Sequence, residues 1–540
     1  MDGSVLVRVQ GPDPQGLKLG GRSFYAVESG RTTLSGSGFV SRSGGRTVVV
    51  TSASVLAPFF KLDQQGKPDG MIEGARVDVY LESGEWREAA FAQVVSLDSV
   101  KSAAEKLIGA KVKLQRGVHV GCVALLQVVQ GGDAVTPLCC GIGQECNRGD
   151  EISVIASPFG LVSPTVFQNS VTSGVVSNVV HDSTRVALLL TDARCLPGSE
   201  GAPVFNRSGE LIGMVSSTVE RPDGSKLELG TVIPVALFSN LLELKLVDSG
   251  TSLDVRNCSV QQGSSNMIAD AVFGCSESVV MITINSSWGS GVVVSTDGHI
   301  LTCAHLFRPF VLVDKRTHRL RLRHPSTRIT VSIRNGGVCL HCAAELVFCS
   351  KGAIDVALLK IQSTSADMSI KSVKFSTGRI QAGTRCVAIG HAIFLPTTNL
   401  SATVSSGVIS RVVCLPRDKT TPAIVQTCAS VFRGHSGGLL ADETGRFIGI
   451  LTSNARHSNG DIIPTINFSI PYAMLQPLIE IVLEGGEPSS PNVQSVFDMY
   501  DREDPELLSL WRLESDSQPP PQADALSRFD NIVEQLKAKL

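Results

Sequence analysis

Gly434-His435-Ser436-Gly437-Gly438, followed five residues later by Thr444-Gly445-Arg446-Phe447-Ile448-Gly449, repeats an earlier stretch of the chain at a distance of 236 positions. That earlier stretch is Gly198-Ser199-Glu200-Gly201-Ala202 with Ser208-Gly209-Glu210-Leu211-Ile212-Gly213. Working outward, Gly36-Ser37-Gly38-Phe39-Val40 returns as Gly289-Ser290-Gly291-Val292-Val293, and Val50-Thr51-Ser52-Ala53-Ser54 as Leu301-Thr302-Cys303-Ala304-His305. Thr172-Ser173-Gly174-Val175-Val176-Ser177 returns as Ser405-Ser406-Gly407-Val408-Ile409-Ser410. The landmarks keep their order while the offset drifts between 253, 233 and 236, as in a duplicated domain with insertions. The expected organisation is one copy over 1–248, a polar linker over 249–274, a second copy over 275–485, and a tail over 486–540.

Strand, turn and strand alternate within each copy, as in Leu439-Leu440, Glu443-Thr444-Gly445 and Phe447-Ile448-Gly449-Ile450-Leu451. No ten-residue helical period competes with this pattern, so each copy reads as an antiparallel barrel or sandwich and the chain as all-β. Of the 540 residues, 43% are apolar and 18% charged, against roughly 25% charged in an average domain, so large cores are expected. The net charge of −2 is not gathered into blocks, which argues against nucleic acid or an anionic membrane as partner. Met1 to Gln10 lacks the apolar stretch of a secretory leader, and no uncharged run is long enough to span a bilayer. The 14 cysteines lack the spacing of a disulfide framework and read as free thiols. Cys339, His341, Cys342 and Cys349 lack a second paired half at zinc-site spacing, so no metal and no cofactor is expected.

A serine hydroxyl becomes a nucleophile near neutral pH when an imidazole takes its proton, a carboxylate orients that imidazole, and donors face the developing oxyanion. The second copy supplies these parts as Ser436, His305 and Asp355, with the backbone amides of Gly434 and Ser436 as the oxyanion donors. His305 follows the strand Ile300-Leu301-Thr302, and Asp355 opens Asp355-Val356-Ala357-Leu358-Leu359. Gly434-x-Ser436-x-Gly438 also fits the nucleophile elbow of α/β-hydrolases, but there the chain order is Ser, Asp, His and a long helix follows the serine. Here the order is His, Asp, Ser and a strand follows. His435 reads as a lining residue that uses its backbone and not its imidazole.

Trp288-Gly289-Ser290-Gly291-Val292-Val293-Val294, Asp297-Gly298-His299-Ile300-Leu301-Thr302-Cys303-Ala304-His305, Asp355 to Lys360 and Gly434 to Gly438 together resemble the HtrA/Deg branch of trypsin-like serine proteases. Ile466-Asn467-Phe468-Ser469-Ile470-Pro471, and in the first copy Ser157-Pro158-Phe159-Gly160-Leu161 and Thr191-Asp192-Ala193-Arg194, carry the same likeness. The fold this implies is two tandem trypsin-like double β-barrel domains with a short helical C-terminal tail. The chain ends Ala538-Lys539-Leu540, the form of a peroxisomal address read by an import receptor. With that ending, the resemblance implies a peroxisomal matrix endopeptidase. Its implied substrates are imported matrix proteins that lose N-terminal leaders, and other imported enzymes, several of them in fatty-acid β-oxidation. It also implies self-cleavage and self-association. A reading of a different class is a non-catalytic peptide-binding scaffold on the same duplicated fold. No peptide-binding module of about 90 residues follows the second copy, which departs from the wider HtrA pattern.

The same alignment puts Ser54 where His305 stands, Cys122 where Asp355 stands and Glu200 where Ser436 stands, so the first copy is expected to be inert. Leu107 to Lys113 is the expected exposed site of self-cleavage. Glu487-Pro488-Ser489-Ser490-Pro491 and Pro519-Pro520-Pro521 bracket a segment that reads as an extended spacer, followed by a last helix with Leu526, Phe529, Ile532, Val533 and Leu536 on one face. The walls of the specificity pocket are expected from loops around Ser430 and Leu451 to Arg456.

Overall fold

The computed structural model describes the chain from Gly3 to Arg512, apart from 13–24, 109–120, 130–134, 217–228, 243–266, 314–319, 363–369, 457–461 and a few single or paired positions. The last-helix stripe from Leu526 to Leu536 and the tripeptide Ala538-Lys539-Leu540 lie outside the described residues, as do residues 109–113 of the expected cleavage stretch.

Four six-stranded antiparallel barrels follow one another along the chain. The first is built from Ser4–Pro12, Arg31–Ser43, Arg46–Ser52, Cys122–Val128, Trp86–Ser96 and Arg76–Tyr80, and is closed by pairing of the first of these strands with both the second and the last. Tyr25–Glu28 adds to its edge. The second runs through Glu151–Ala156, Ser170–Asp182, Arg185–Thr191, Gly230–Pro234, Leu211–Val215 and Pro203–Asn206. The third uses Val279–Ile284, Ser287–Val293, His299–Thr302, Ala357–Ile361, Val338–Cys349 and Ile329–Asn335. The fourth uses Arg385–Gly390, Thr403–Cys414, Pro422–Thr427, Ile462–Pro471, Phe447–Arg456 and Leu439–Asp442. All four have the same winding, with the last three strands returning in reverse order around the ring. Closure leaves no unpaired barrel edge, and the inward Val, Ile and Leu side chains fill each lumen.

The halves are not beads on a linker. Strands Ser170–Asp182 and Thr403–Cys414 lie against each other, so the second and fourth barrels are in contact. Arg148 donates to the carbonyl of Ala402 at 2.7 Å, Asn178 to that of Ser401 at 2.9 Å, and Glu151 pairs with Arg385. The expected linker ends early, because Met267–Cys275 is a helix whose Ile268, Val272 and Cys275 enter the core of the second half. A further helix, Asp98–Ile108, lies within the first half. Leu107 on it is 7% exposed, which removes that residue from any exposed cleavage stretch.

Of the spacer expected over 485–521, the described residues up to 512 are folded, and 513–521 lie outside the described residues. Tyr472–Leu483 is a helix that buries Leu475, Leu478, Ile479 and Val482 against the fourth barrel. Ser490 caps the next helix, Pro491–Asp501, by accepting from the Val493 amide at 3.4 Å, and Pro491 sits at the first helical position. Val493, Phe497 and Tyr500 then share one buried stripe. Asp504 caps a third helix, Pro505–Arg512, through the amides of Glu506 and Leu507, and is held by Arg417 at 2.6 Å. This strap clamps the loop ahead of Asp355. Ser350 Oγ donates to the Tyr500 carbonyl at 3.1 Å, the Lys351 amide donates to Asp501 at 2.9 Å, and Phe497 stacks on Phe348 with ring centroids 4.4 Å apart.

Truncating a buried stacked phenylalanine typically costs about 3 kcal/mol. Phe497→Ala should therefore lower the melting temperature by several degrees in a scanning-fluorimetry measurement, and an unchanged melting curve would show that the strap contributes nothing to stability.

Candidate active site

His305 sits on a single 3-10 turn, Ala304–Leu306, directly after the strand His299–Thr302. Asp355 ends the loop before Ala357–Ile361, the neighbouring strand of the same barrel, paired through Thr302 and Ala357. This register sets the carboxylate beside the imidazole. The His305 amide donates to Asp355 Oδ1 at 2.8 Å, and His305 Nδ1 lies 2.5 Å from Oδ2. With Nδ1 as donor to the carboxylate, Nε2 is left as the acceptor. The imidazole is 43% exposed and the carboxylate 17%. Burial pushes the Asp355 carboxyl up, but the hydrogen bonds and charge of His305 prevail and hold it below its ordinary value.

Ser436 comes from the fourth barrel, at the turn before Leu439–Asp442. The turn depends on Gly434 at φ +100° and Gly437 at φ +83°, both in the left-handed region. A Cβ on Gly437 would lie 2.2 Å from the Ser290 carbonyl oxygen and 2.3 Å from Thr302 Oγ1. Ser290, on the third barrel, is the tie between the two barrels. Its amide donates to the Ser436 carbonyl at 2.9 Å, its hydroxyl donates to the Gly434 carbonyl at 2.7 Å, and that hydroxyl accepts from the His391 amide at 2.8 Å. Among the described residues the amides of Gly434 and Ser436 have no internal acceptor.

Thr452 links Ser436 to Asp355. Its hydroxyl donates to Asp355 Oδ2 at 3.0 Å, and its carbonyl accepts from Ser436 Oγ at 3.4 Å. Sequence reasoning missed it, and placed Leu451 to Arg456 in a loop where the structure has the strand Phe447–Arg456. His435 also differs from expectation. It is fully buried, and its Nδ1 accepts the Phe432 amide at 2.9 Å while its own amide donates to the Phe432 carbonyl at 3.0 Å, so the imidazole is built into the loop. Burial lowers its pKa to about 4, which keeps the ring neutral and able to accept.

Cys303 Sγ, with the nearest donor atoms of His305 and Asp355, forms a group within 4.8 Å of one another. The thiol is fully buried and donates to the Leu451 carbonyl at 3.3 Å. Burial, followed by the charge of Asp355, raises its pKa well above the ordinary thiol value, so it is a protonated neighbour and not a ready metal ligand. Cys339, His341, Cys342 and Cys349 are strung along one strand, Val338–Cys349, where His341 Nδ1 bonds Ser332 Oγ at 2.8 Å.

The first half repeats the scaffold with different chemistry. Thr51 pairs with Ala124 as Thr302 does with Ala357, which puts Ser54 and Cys122 in the registers of His305 and Asp355. Ser54 Oγ bonds Ser52 Oγ at 2.8 Å, and burial raises the Cys122 thiol pKa. Ser37 makes the bonds of Ser290: its amide donates to the Glu200 carbonyl at 2.8 Å, its hydroxyl donates to the Gly198 carbonyl at 2.7 Å, and that hydroxyl accepts from the Ser157 amide at 2.8 Å. Gly198 has φ +98°, close to that of Gly434, but its amide is taken by Glu200 Oε2 at 2.9 Å. The carboxylate thus fills the place that stands open in the second half.

The profile of the family described as a trypsin-like peptidase domain matches residues 36–214 and 289–450. The chain is 28% identical over 390 residues to the peroxisomal leader peptide-processing protease of Mus musculus, covering 68% of this chain and 62% of that protein. It is 29% identical over 345 residues to the Homo sapiens protein of the same name, covering 62% and 55%. The chain therefore spans less than two thirds of the length of these relatives. Among solved structures, the HtrA-type protease AlgW with tripeptide is 27% identical over 40% of this chain and 64% of its own, with a TM-score of 0.30.

A hydrogen bond to a charged group contributes about 1.5–3 kcal/mol, and 1.4 kcal/mol is tenfold in rate. Thr452→Val, which removes the bond that holds Asp355 in line, lowers kcat on a peptide substrate by about tenfold or more and the melting temperature by a few degrees; unaltered kcat would assign it no part in the site.

Proposed function

Because the chain belongs to the family of trypsin-like peptidases, we propose that its second half is a serine endopeptidase working through an acyl-enzyme, with His305, Asp355 and Ser436 as the triad. The observation that carries this reading is the bonded His305–Asp355 pair beside a serine whose neighbouring amides are open. For the reaction, the Ser436 hydroxyl leaves the Thr452 carbonyl, a weak tie at 3.4 Å, and gives its proton to His305 Nε2 as Oγ attacks the substrate carbonyl. The Gly434 and Ser436 amides bind the oxyanion. Asp355 stabilises the imidazolium, which then protonates the departing amine. Water deacylates Ser436 by the same route, with His305 again as base. The first half, whose Glu200 occupies the corresponding amide, takes no catalytic part.

The setting proposed is the peroxisomal matrix, reached from the cytosol through an import receptor that reads Ala538-Lys539-Leu540. The substrates proposed are imported matrix proteins carrying N-terminal leader peptides. The name shared by the two curated relatives supports both, and the tripeptide Ala538-Lys539-Leu540 supports the first.

Ser436→Ala should abolish both fluorophosphonate labelling and peptide cleavage, a loss of several orders of magnitude. Labelling that survives would place the nucleophile elsewhere. Deleting Leu540 should leave the protein in the cytosol by fluorescence microscopy, and undiminished import would discard the tripeptide as its address.

A further inference from the structure

Asp192 directly follows the strand Arg185–Thr191 of the first half, on the seam with the second. Its Oδ1 accepts the Val175 amide of its own half at 2.7 Å, and its Oδ2 accepts the Ser406 amide of the other half at 2.6 Å. The residue at the corresponding position of the second half, 236 positions on, is Cys428. Cys428 Sγ accepts from the Val408 amide at 3.2 Å, the counterpart of the Val175 bond, but a thiol has no second acceptor atom to offer across the seam. One carboxylate therefore serves both halves. It is largely buried, and burial raises its pKa to about 6 against the pull of the backbone amides.

The amide it holds belongs to the strand beneath the turn that presents Ser436. Ser405, the preceding residue, donates its hydroxyl to the Ser430 carbonyl at 2.5 Å, and a Cβ on Gly407 would lie 2.3 Å from the Ala429 amide nitrogen. From Ala429 the loop runs through Phe432 and Arg433 to Gly434. Arg433 is tied to a second loop, because its carbonyl accepts the Ile393 amide at 2.8 Å. Ile393 itself is β-branched with φ +70°, a conformation that persists only where the surroundings enforce it. The surroundings come from the first half. Ala392, Phe394 and Phe432 belong to the same buried apolar cluster as Leu188, Leu190, Phe205 and Phe238, and Ile393 packs against it.

We propose that the inert first half is a built-in activator of the second, with Asp192 as a positioning residue that, together with the shared apolar cluster, holds the 391–394 and 429–434 loops so that the amides of Gly434 and Ser436 face the substrate carbonyl. This rests on reading Ser436 as the nucleophile. It predicts an effect on transition-state stabilisation and not on ground-state binding, since the oxyanion donors gain most when charge develops on the carbonyl oxygen.

The test is kinetic, on the full-length chain, with a fluorogenic peptide that the wild type cleaves and a fluorophosphonate probe. Asp192→Ala is expected to lower kcat and the rate of Ser436 labelling together, by about 10–100-fold, the range for a displaced catalytic group, with KM within about threefold. Asp192→Asn, which keeps one acceptor, falls between it and the wild type. Wild-type kcat and labelling in Asp192→Ala, or a loss confined to KM, would overturn the proposal. Should Asp192→Ala fail to fold, Phe238→Leu decides, because it loosens the first half's side of the shared apolar cluster without changing any residue of the second half: the same kcat-selective loss supports the proposal and wild-type kinetics refutes it. A wild type inert to both peptide and probe strikes at the assignment of Ser436 instead.

Discussion

In each half, one serine between two glycines joins the second strand of one barrel to the glycine turn of the next, and the rest of the site depends on that join. Ser290 uses its amide and hydroxyl to fix the carbonyls of Ser436 and Gly434, and Ser37 does the same for Glu200 and Gly198. A side chain on the glycine before that serine would collide with the turn that follows the next strand of its own barrel: on Gly289 it would meet Leu306 at 2.5 Å, and on Gly36 it would meet Val55 at 2.4 Å. With the carbonyls tied down on one side, the amides of the turn are forced outward. The geometry needed for an oxyanion site is thus a by-product of how two barrels are fastened together. The same fastening recurs in the half that carries Ser54, Cys122 and Glu200.

The divergence of the halves follows from this separation of scaffold and chemistry. The fastening bonds come from Ser37, Thr51 and backbone atoms, not from the side chains of Ser54, Cys122 or Glu200, so the barrels do not depend on what those three positions carry. Thr51 Oγ1 still donates to the Ser37 carbonyl at 2.7 Å, as Thr302 Oγ1 does to that of Ser290. A carboxylate at position 200 is compatible with its buried place because the turn supplies the Gly198 amide as donor. In the second half the corresponding amide keeps its capacity for an outside oxygen.

Much of this was legible in the chain because its signals are local. The glycine turns, the His305 corner and the Asp355 strand end each read from a few consecutive residues, and the duplication showed which of them recur. What was not legible depends on partners far apart in sequence or on choosing between two local readings. Thr452 is one threonine in a strand, and nothing near it announces a bond to Asp355, 97 positions away. The bond from Ser406 to Asp192 spans 214 positions. His435 was misread because only the folded turn brings its Nδ1 onto the Phe432 amide. The helices over 491–512 had their signals in plain sight, Ser490-Pro491 and Asp504-Pro505 as cap and first residue. The abundance of proline and acid around them outweighed the spacing of Val493, Phe497 and Tyr500.

Glu200 has a further use. Its Oε2 rests 2.9 Å from an amide whose turn has nearly the same φ as that of Gly434, so the chain carries a fixed negative oxygen at the spot where the proposed mechanism puts a transient one in the other half. Superposing one half on the other transfers that oxygen into the open cradle and gives a ruler, internal to the molecule, for where an inhibitor's boronate or phosphonate oxygen belongs.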